Sequence, residues 1–126
     1  MRNVVFSVAL VSLSACSSLD GVYVGDCTIV MNGADNIFEV EVELTQSASG
    51  SIDGEGSVVN SLDEISRGEI DGEWEGDDIN FDIEFESNAV MDGAMSFQGI
   101  VDGDEIDGQC EWNDYKEGAF DLKRED

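Results

Sequence analysis

The chain contains no histidine and no proline, and only 5 lysines and arginines stand against 30 aspartates and glutamates. Without histidine, a serine or cysteine nucleophile lacks its usual base, and zinc and haem lack their usual nitrogen ligand. The shortage of positive charge excludes nucleic acid as a partner, since a formal charge of −25 repels phosphate and anionic headgroups alike. Long hydrophobic runs are missing too. The apolar stretch from Val4 to Leu13 is broken by Ser7 and Ser12 and is too short to span a bilayer. Beyond it no helical period appears.

What is there begins with that stretch. Arg2, the apolar core and the small residues after it form the three parts of a secretory signal over residues 1–15. The signal closes on Leu13-Ser14-Ala15-Cys16, a spacing that resembles the lipobox of bacterial lipoproteins. The resemblance implies a Cys16 thiol carrying diacylglycerol, an acylated Cys16 N-terminus after cleavage, and the lipid bilayer as a partner. Such a head holds more than the two chains that stable anchoring needs. Ser17 follows in place of Asp, which resembles the pattern sorted to the outer membrane, so the expected location is the cell envelope. The alternative is an ordinary cleaved signal with Cys16 merely nearby. On this reading residues 1–15 are a signal peptide, 16–20 a lipidated tether and 21–126 an acidic domain.

Removing the signal takes away Arg2 and no acid, leaving four basic residues against 30 acidic ones, a formal charge of −26. Such a surface is solvated in salty water, where screening acts within about 8 Å. It also steers cationic proteins toward itself. Lipid on Cys16 would account for the odd one of 3 cysteines and leave Cys27 and Cys110 as a pair in an oxidising compartment. A bridge between them would close most of the domain, worth roughly 4–5 kcal/mol in the chain-entropy model, and would suit terminal strands that meet. Two inert buried thiols are the alternative.

From Gly21 onward apolar and polar residues alternate in short runs broken by Gly, Asp and Asn, the signature of strands. Phe38, Val40, Val42 and Leu44 alternating with Glu39, Glu41 and Glu43 is the clearest instance. The alternation yields eight strands, an inward face holding Tyr23, Phe38, Trp74, Phe81, Phe85, Phe97, Trp112 and Phe120, and tight turns such as Gly76-Asp77 and Gly103-Asp104. The expected fold is all-β, a small eight-stranded antiparallel up-and-down barrel, because closure removes exposed edges. A two-sheet β-sandwich is the alternative. Ile-Asp-Gly recurs at 52–54, 70–72 and 106–108. We read it as punctuation, since inward glycines let strands bend where a small barrel closes.

Gly25, Leu44 with Gln46, Ile70-Asp71-Gly72, Gly103-Asp104-Glu105-Ile106 and Gly118-Ala119-Phe120-Asp121-Leu122 together resemble a group of small secreted bacterial β-barrel domains. That resemblance implies a lipocalin-like or avidin-like barrel and carries over no functional residue. Membrane-bound inhibitors of C-type lysozyme, also short lipoproteins with disulfide-tied barrels, are similar in architecture and charge.

No residue set specifies a reaction, so the expectation is a non-enzymatic protein with no cofactor and no metal. Asp102-Gly103-Asp104-Glu105-Ile106-Asp107-Gly108 looks like an EF-hand loop, but Ile106 and Asp107 fall where an oxygen ligand and the obligatory glycine belong. Three roles stay open. A small apolar ligand would sit among Trp74, Phe81, Phe97 and Trp112, unless side chains fill that space. A cationic protein, such as a lysozyme-like enzyme, would be drawn by charge, with loops 60–64, 87–93 and 113–117 offering Met91, Trp112 and Tyr115, unless these three simply pack the loops. A purely structural envelope protein would do neither.

Overall fold

Glu39, Glu41 and Glu43 are exposed and the apolar residues between them buried, as a strand with one dry face demands. The same parity runs through all eight strands of the computed structural model, which describes residues 19–125. The signal peptide, Cys16 and the first part of the tether lie outside the described residues.

The strands are β1 (Gly21–Met31), β2 (Ala34–Gln46), β3 (Ser51–Val59), β4 (Ile65–Glu75), β5 (Asp78–Phe85), β6 (Ala94–Asp102), β7 (Glu105–Trp112) and β8 (Gly118–Arg124). Each pairs antiparallel with its neighbour in sequence, and β8 returns to β1 to close the barrel. Closure leaves no strand with an unpaired edge, so the up-and-down barrel forms and the sandwich does not.

An up-and-down order sorts the connections by parity. The turn at Asn32-Gly33 and the loops 60–64, 86–93 and 113–117 lie at one end, here the loop end. The tight turns and both described termini lie at the other, the terminus end. Leu19, expected in the tether, is instead part of the barrel. It is buried, its N–H donates to Gln46 Oε1 at 3.0 Å, and the Asp20 carboxylate accepts the Gln46 N–H at 2.8 Å.

The core is one cluster inside the sheet. Rings lie opposite glycines: Phe81 pairs with Gly72, and Phe120 with Gly108. A large side chain on one strand thus fills the gap left on the next, as a narrow barrel requires. Cys27 on β1 and Cys110 on β7 form a disulfide with Cα atoms 6.3 Å apart. These strands are not neighbours, since β8 runs between them, so the bridge passes over the inner surface of β8. Gly118 makes room for it: a Cβ there would stand 2.5 Å from the Cys110 carbonyl and 3.0 Å from its Sγ.

Candidate functional site

Three parts of the molecule could receive a partner: the lumen, the loop end and the outer wall. In the lumen, Phe81 and Phe97 stack with centroids 4.7 Å apart and planes 14° off parallel. Phe120 meets Phe97 edge-on at 5.1 Å. All three rings are buried, and Phe97 meets both of the others, so the middle of the barrel is occupied by its own aromatics. The other two residues expected to line a ligand cavity do not join them. Trp74 is the last inward residue of β4, which runs toward the terminus end, whereas Trp112 ends β7, which runs toward the loop end. The four residues therefore share a face but not a cavity.

The two indoles also differ in bonding. Trp112 donates from Nε1 to the Asp92 carbonyl at 2.9 Å and meets Phe38 edge-on at 6.2 Å. Trp74 Nε1 is buried and finds no hydrogen-bond partner among the described residues.

At the loop end the three expected partner residues pack against the barrel, the alternative reading for them. Met91 is buried at 3% exposure, its N–H donating to Ser66 Oγ at 3.0 Å, so it closes the barrel mouth. Tyr115 is half-buried against the core, and its backbone exchanges hydrogen bonds with Trp112. The apolar groups that do reach solvent are others. Leu62 is 75% exposed, Val90 59%, Ile37 55%, Ile65 49% and Val30 38%, and all five lie at the loop end. Ile100, toward the terminus end, is the sixth exposed large apolar residue among those described. Two of the expected loops, 60–64 and 87–93, carry Leu62 and Val90, but sequence reasoning singles out neither side chain. In β2 the signal is a break in alternation, Ile37 beside Phe38; Leu62 and Val90 lie in loops and have none.

Polar groups dominate the outer wall. Register places Glu43, Glu55, Glu69 and Glu84 in one cross-strand row over β2–β5, and Asp53, Asp71 and Asp82 in the row beside it. Like charges directly opposite destabilise a sheet, so these rows cost the fold stability. A groove of about 340 Å³ runs along this wall, with Arg67 the only cation among the residues lining it. On the opposite side the row Asn80, Gln98, Gln109 and Ala119 is uncharged. A cleft of about 180 Å³ lies there beside Lys116. Strands β2–β5 carry most of the outward carboxylates, although Asp107, Asp121, Asp26 and Glu39 also stand directly opposite one another over β7, β8, β1 and β2.

No family model and no curated protein matches this chain. Among solved structures it is similar to a barrel from the de novo design of a fluorescence-activating β-barrel. The TM-score is 0.65 at 13% identity, over 88% of this chain and 97% of that one. At such low identity the likeness is one of fold.

Proposed function

We propose that this chain is a lipid-anchored, non-enzymatic protein of the cell envelope, whose barrel binds cationic proteins on its outer surface. The rows of directly opposed carboxylates on β2–β5 carry this reading. A row of like charges costs stability in the protein alone and is relieved when cationic groups dock against it. Anchoring rests on the signal and on Cys16, outside the described residues. Leu19 is three residues beyond Cys16. A lipid there would hold the terminus end toward the bilayer and turn the loop end away.

A barrel holding a small apolar ligand is the second reading, favoured by the likeness to a fluorescence-activating barrel. The Phe81–Phe97–Phe120 packing favours the outside instead. Strongly cationic, lysozyme-like enzymes are one class of partner that an acidic wall would attract.

Two measurements test the proposal. Mass spectrometry of the native protein should find Cys16 as a lipidated N-terminus, and an unmodified full-length chain would remove the anchor. A cationic lysozyme should be retained on the immobilised full chain at low salt and released as salt rises. No retention at low salt ends the cationic-partner reading.

A further inference from the structure

The exposed apolar side chains of the loop end are not scattered. Val59 on β3, half-buried, stands directly opposite the exposed Ile65 on β4, and its parity puts it on the same outer face. Ile37 on β2 is one diagonal step away, because Glu39, two residues on, pairs with Val59. Diagonal neighbours on one face lie about 7–8 Å apart, within reach of long side chains. Leu62 belongs to the loop joining Val59 to Ile65. The β5–β6 loop folds against the same strand, since Glu86 N–H donates to the Arg67 carbonyl and Met91 N–H to Ser66 Oγ. Val90 is therefore brought to the same corner.

The loop that carries Leu62 is held, not slack. Asn60 Oδ1 accepts the N–H of Leu62 at 2.9 Å and that of Glu64 at 3.0 Å, and Asn60 Nδ2 donates to Glu64 Oε1 at 3.0 Å. Backbone bonds from Asn60 N–H to the Glu64 carbonyl and from Asp63 N–H to the Asn60 carbonyl complete the frame. This frame holds a leucine in water, where its side chain forgoes the stabilisation that burial would give. An apolar cluster held outward in this way is a surface shaped to be covered.

Charge chooses the cover. Glu39 is opposite Val59, Glu64 precedes Ile65, and Glu86 bonds the strand beside them, three exposed carboxylates against one exposed cation, Arg67, two residues beyond Ile65 on the same face. A second copy of this chain or an anionic bilayer would bring like charge against this rim. We infer that the loop end is a docking site for a cationic amphipathic helix of a partner protein. Its apolar stripe rests on Ile37, Val59, Leu62, Ile65 and Val90, and its lysines or arginines reach Glu39, Glu64 and Glu86. Apolar residues at i, i+3, i+4 and i+7 make such a stripe, with the basic residues flanking it. This inference rests on the proposed recruitment of cationic proteins and names the place and shape of the contact.

The test titrates the full chain, held in zwitterionic nanodiscs, with three peptides of about 18 residues, roughly 27 Å of helix. One is an amphipathic Leu/Lys helix, one a Ser/Lys peptide of equal charge, and one a neutral Leu/Gln helix. The Leu/Lys peptide should bind at least about tenfold more tightly than either of the others at low salt. The double variant Leu62→Ser, Val90→Ser should reduce Leu/Lys binding to the Ser/Lys level and leave Ser/Lys binding unchanged. Both changes are at exposed positions outside the core, and retained strand circular dichroism confirms folding. Equal binding of Leu/Lys and Ser/Lys overturns the rim while leaving cationic recruitment standing, and equal binding of Leu/Lys and Leu/Gln overturns the role of the carboxylates. If neither lysine peptide binds, recruitment itself falls. Flotation of the nanodiscs with added zwitterionic vesicles, abolished by the double variant and without preference for Leu/Lys, would assign the rim to a second membrane and overturn the inference.

Discussion

Arg124, at the end of β8, donates from Nε at 3.1 Å and from Nη2 at 2.6 Å to the hydroxyl of Tyr23 on β1. The hydroxyl in turn donates to the Leu19 carbonyl at 2.9 Å. The guanidinium carbon is also 5.2 Å from the centre of the Tyr23 ring. One buried hydroxyl thus ties the last strand to the first and both to the segment that leads back toward Cys16. Any pull from an anchor would arrive at this point. Tyr23→Phe removes the hydroxyl, leaving the Leu19 carbonyl without this donor and Arg124 without this acceptor. The expected loss is about 1–3 kcal/mol, read as a lower urea midpoint at unchanged slope. In a double-mutant cycle with Arg124→Met the two losses should fall short of additive by about 1 kcal/mol, and strict additivity would show that the pair is not coupled.

The disulfide acts on the same seam from the middle of the barrel. Cys27 and Cys110 are 83 residues apart, and every strand junction except β1–β8 is between neighbours in sequence. Bringing β1 to β8 is therefore the step with the greatest loop-closure cost. Replacing both cysteines by alanine should lower stability by about 4–5 kcal/mol, chiefly through the unfolded chain. Hydrogen exchange supplies the sharper check. Without the bridge, amides of the β1–β8 ladder should lose protection before those of β3–β4. Uniform loss of protection would mean that the seam is no weaker than the rest.

Much of this barrel can be read from the chain, because the side-chain period of a strand is two and parity alone assigns a face. Tyr23, Phe38, Phe81, Phe97 and Phe120 all point inward as their parity requires. Parity does not give height along the barrel axis, which depends on the direction in which each strand runs. That is why it groups Trp74 and Trp112 with Phe81 and Phe97, although β4 and β7 carry the two indoles to opposite ends. Residues outside the strands have no parity at all. Leu19, in Ser-Leu-Asp, and Met91, in Val-Met-Asp, close the two ends of the barrel. Nothing periodic marks either one. The exposed rim is hidden for the related reason that an apolar residue at an outward position reads as noise until its neighbours across the ladder are known.

The two tryptophans give a paired experiment. Trp112 has a bonded indole N–H and Trp74 a buried one with no partner among the described residues. Trp112→Phe loses a hydrogen bond and leaves the Asp92 carbonyl without this donor, so about 1–2 kcal/mol should be lost. Trp74→Phe removes a donor that contributes nothing and relieves its desolvation, offsetting the lost ring volume. Its melting temperature should stay within a few degrees of the parent. A larger loss at Trp74 than at Trp112 would contradict the assigned bonding.

Charge on the wall gives the last test, because its sign can be reversed at single positions. Glu69 lies between Glu55 on β3 and Glu84 on β5, so Glu69→Lys turns two repelling pairs into attracting ones. Each such pair is worth roughly 0.2–1 kcal/mol. The variant should be more stable than the parent at low ionic strength. Lys123, opposite Glu105 on β7, is the converse case, and Lys123→Glu should destabilise. Salt separates these effects from changes in packing, since the Debye length shrinks from about 30 Å at 0.01 M to about 3 Å at 1 M. The parent should melt at a higher temperature in high salt, and both variants should move closer to it there. A parent melting temperature unchanged by salt would mean that the opposed carboxylates do not strain the sheet. The relief on docking that supports cationic recruitment would then be lost with it.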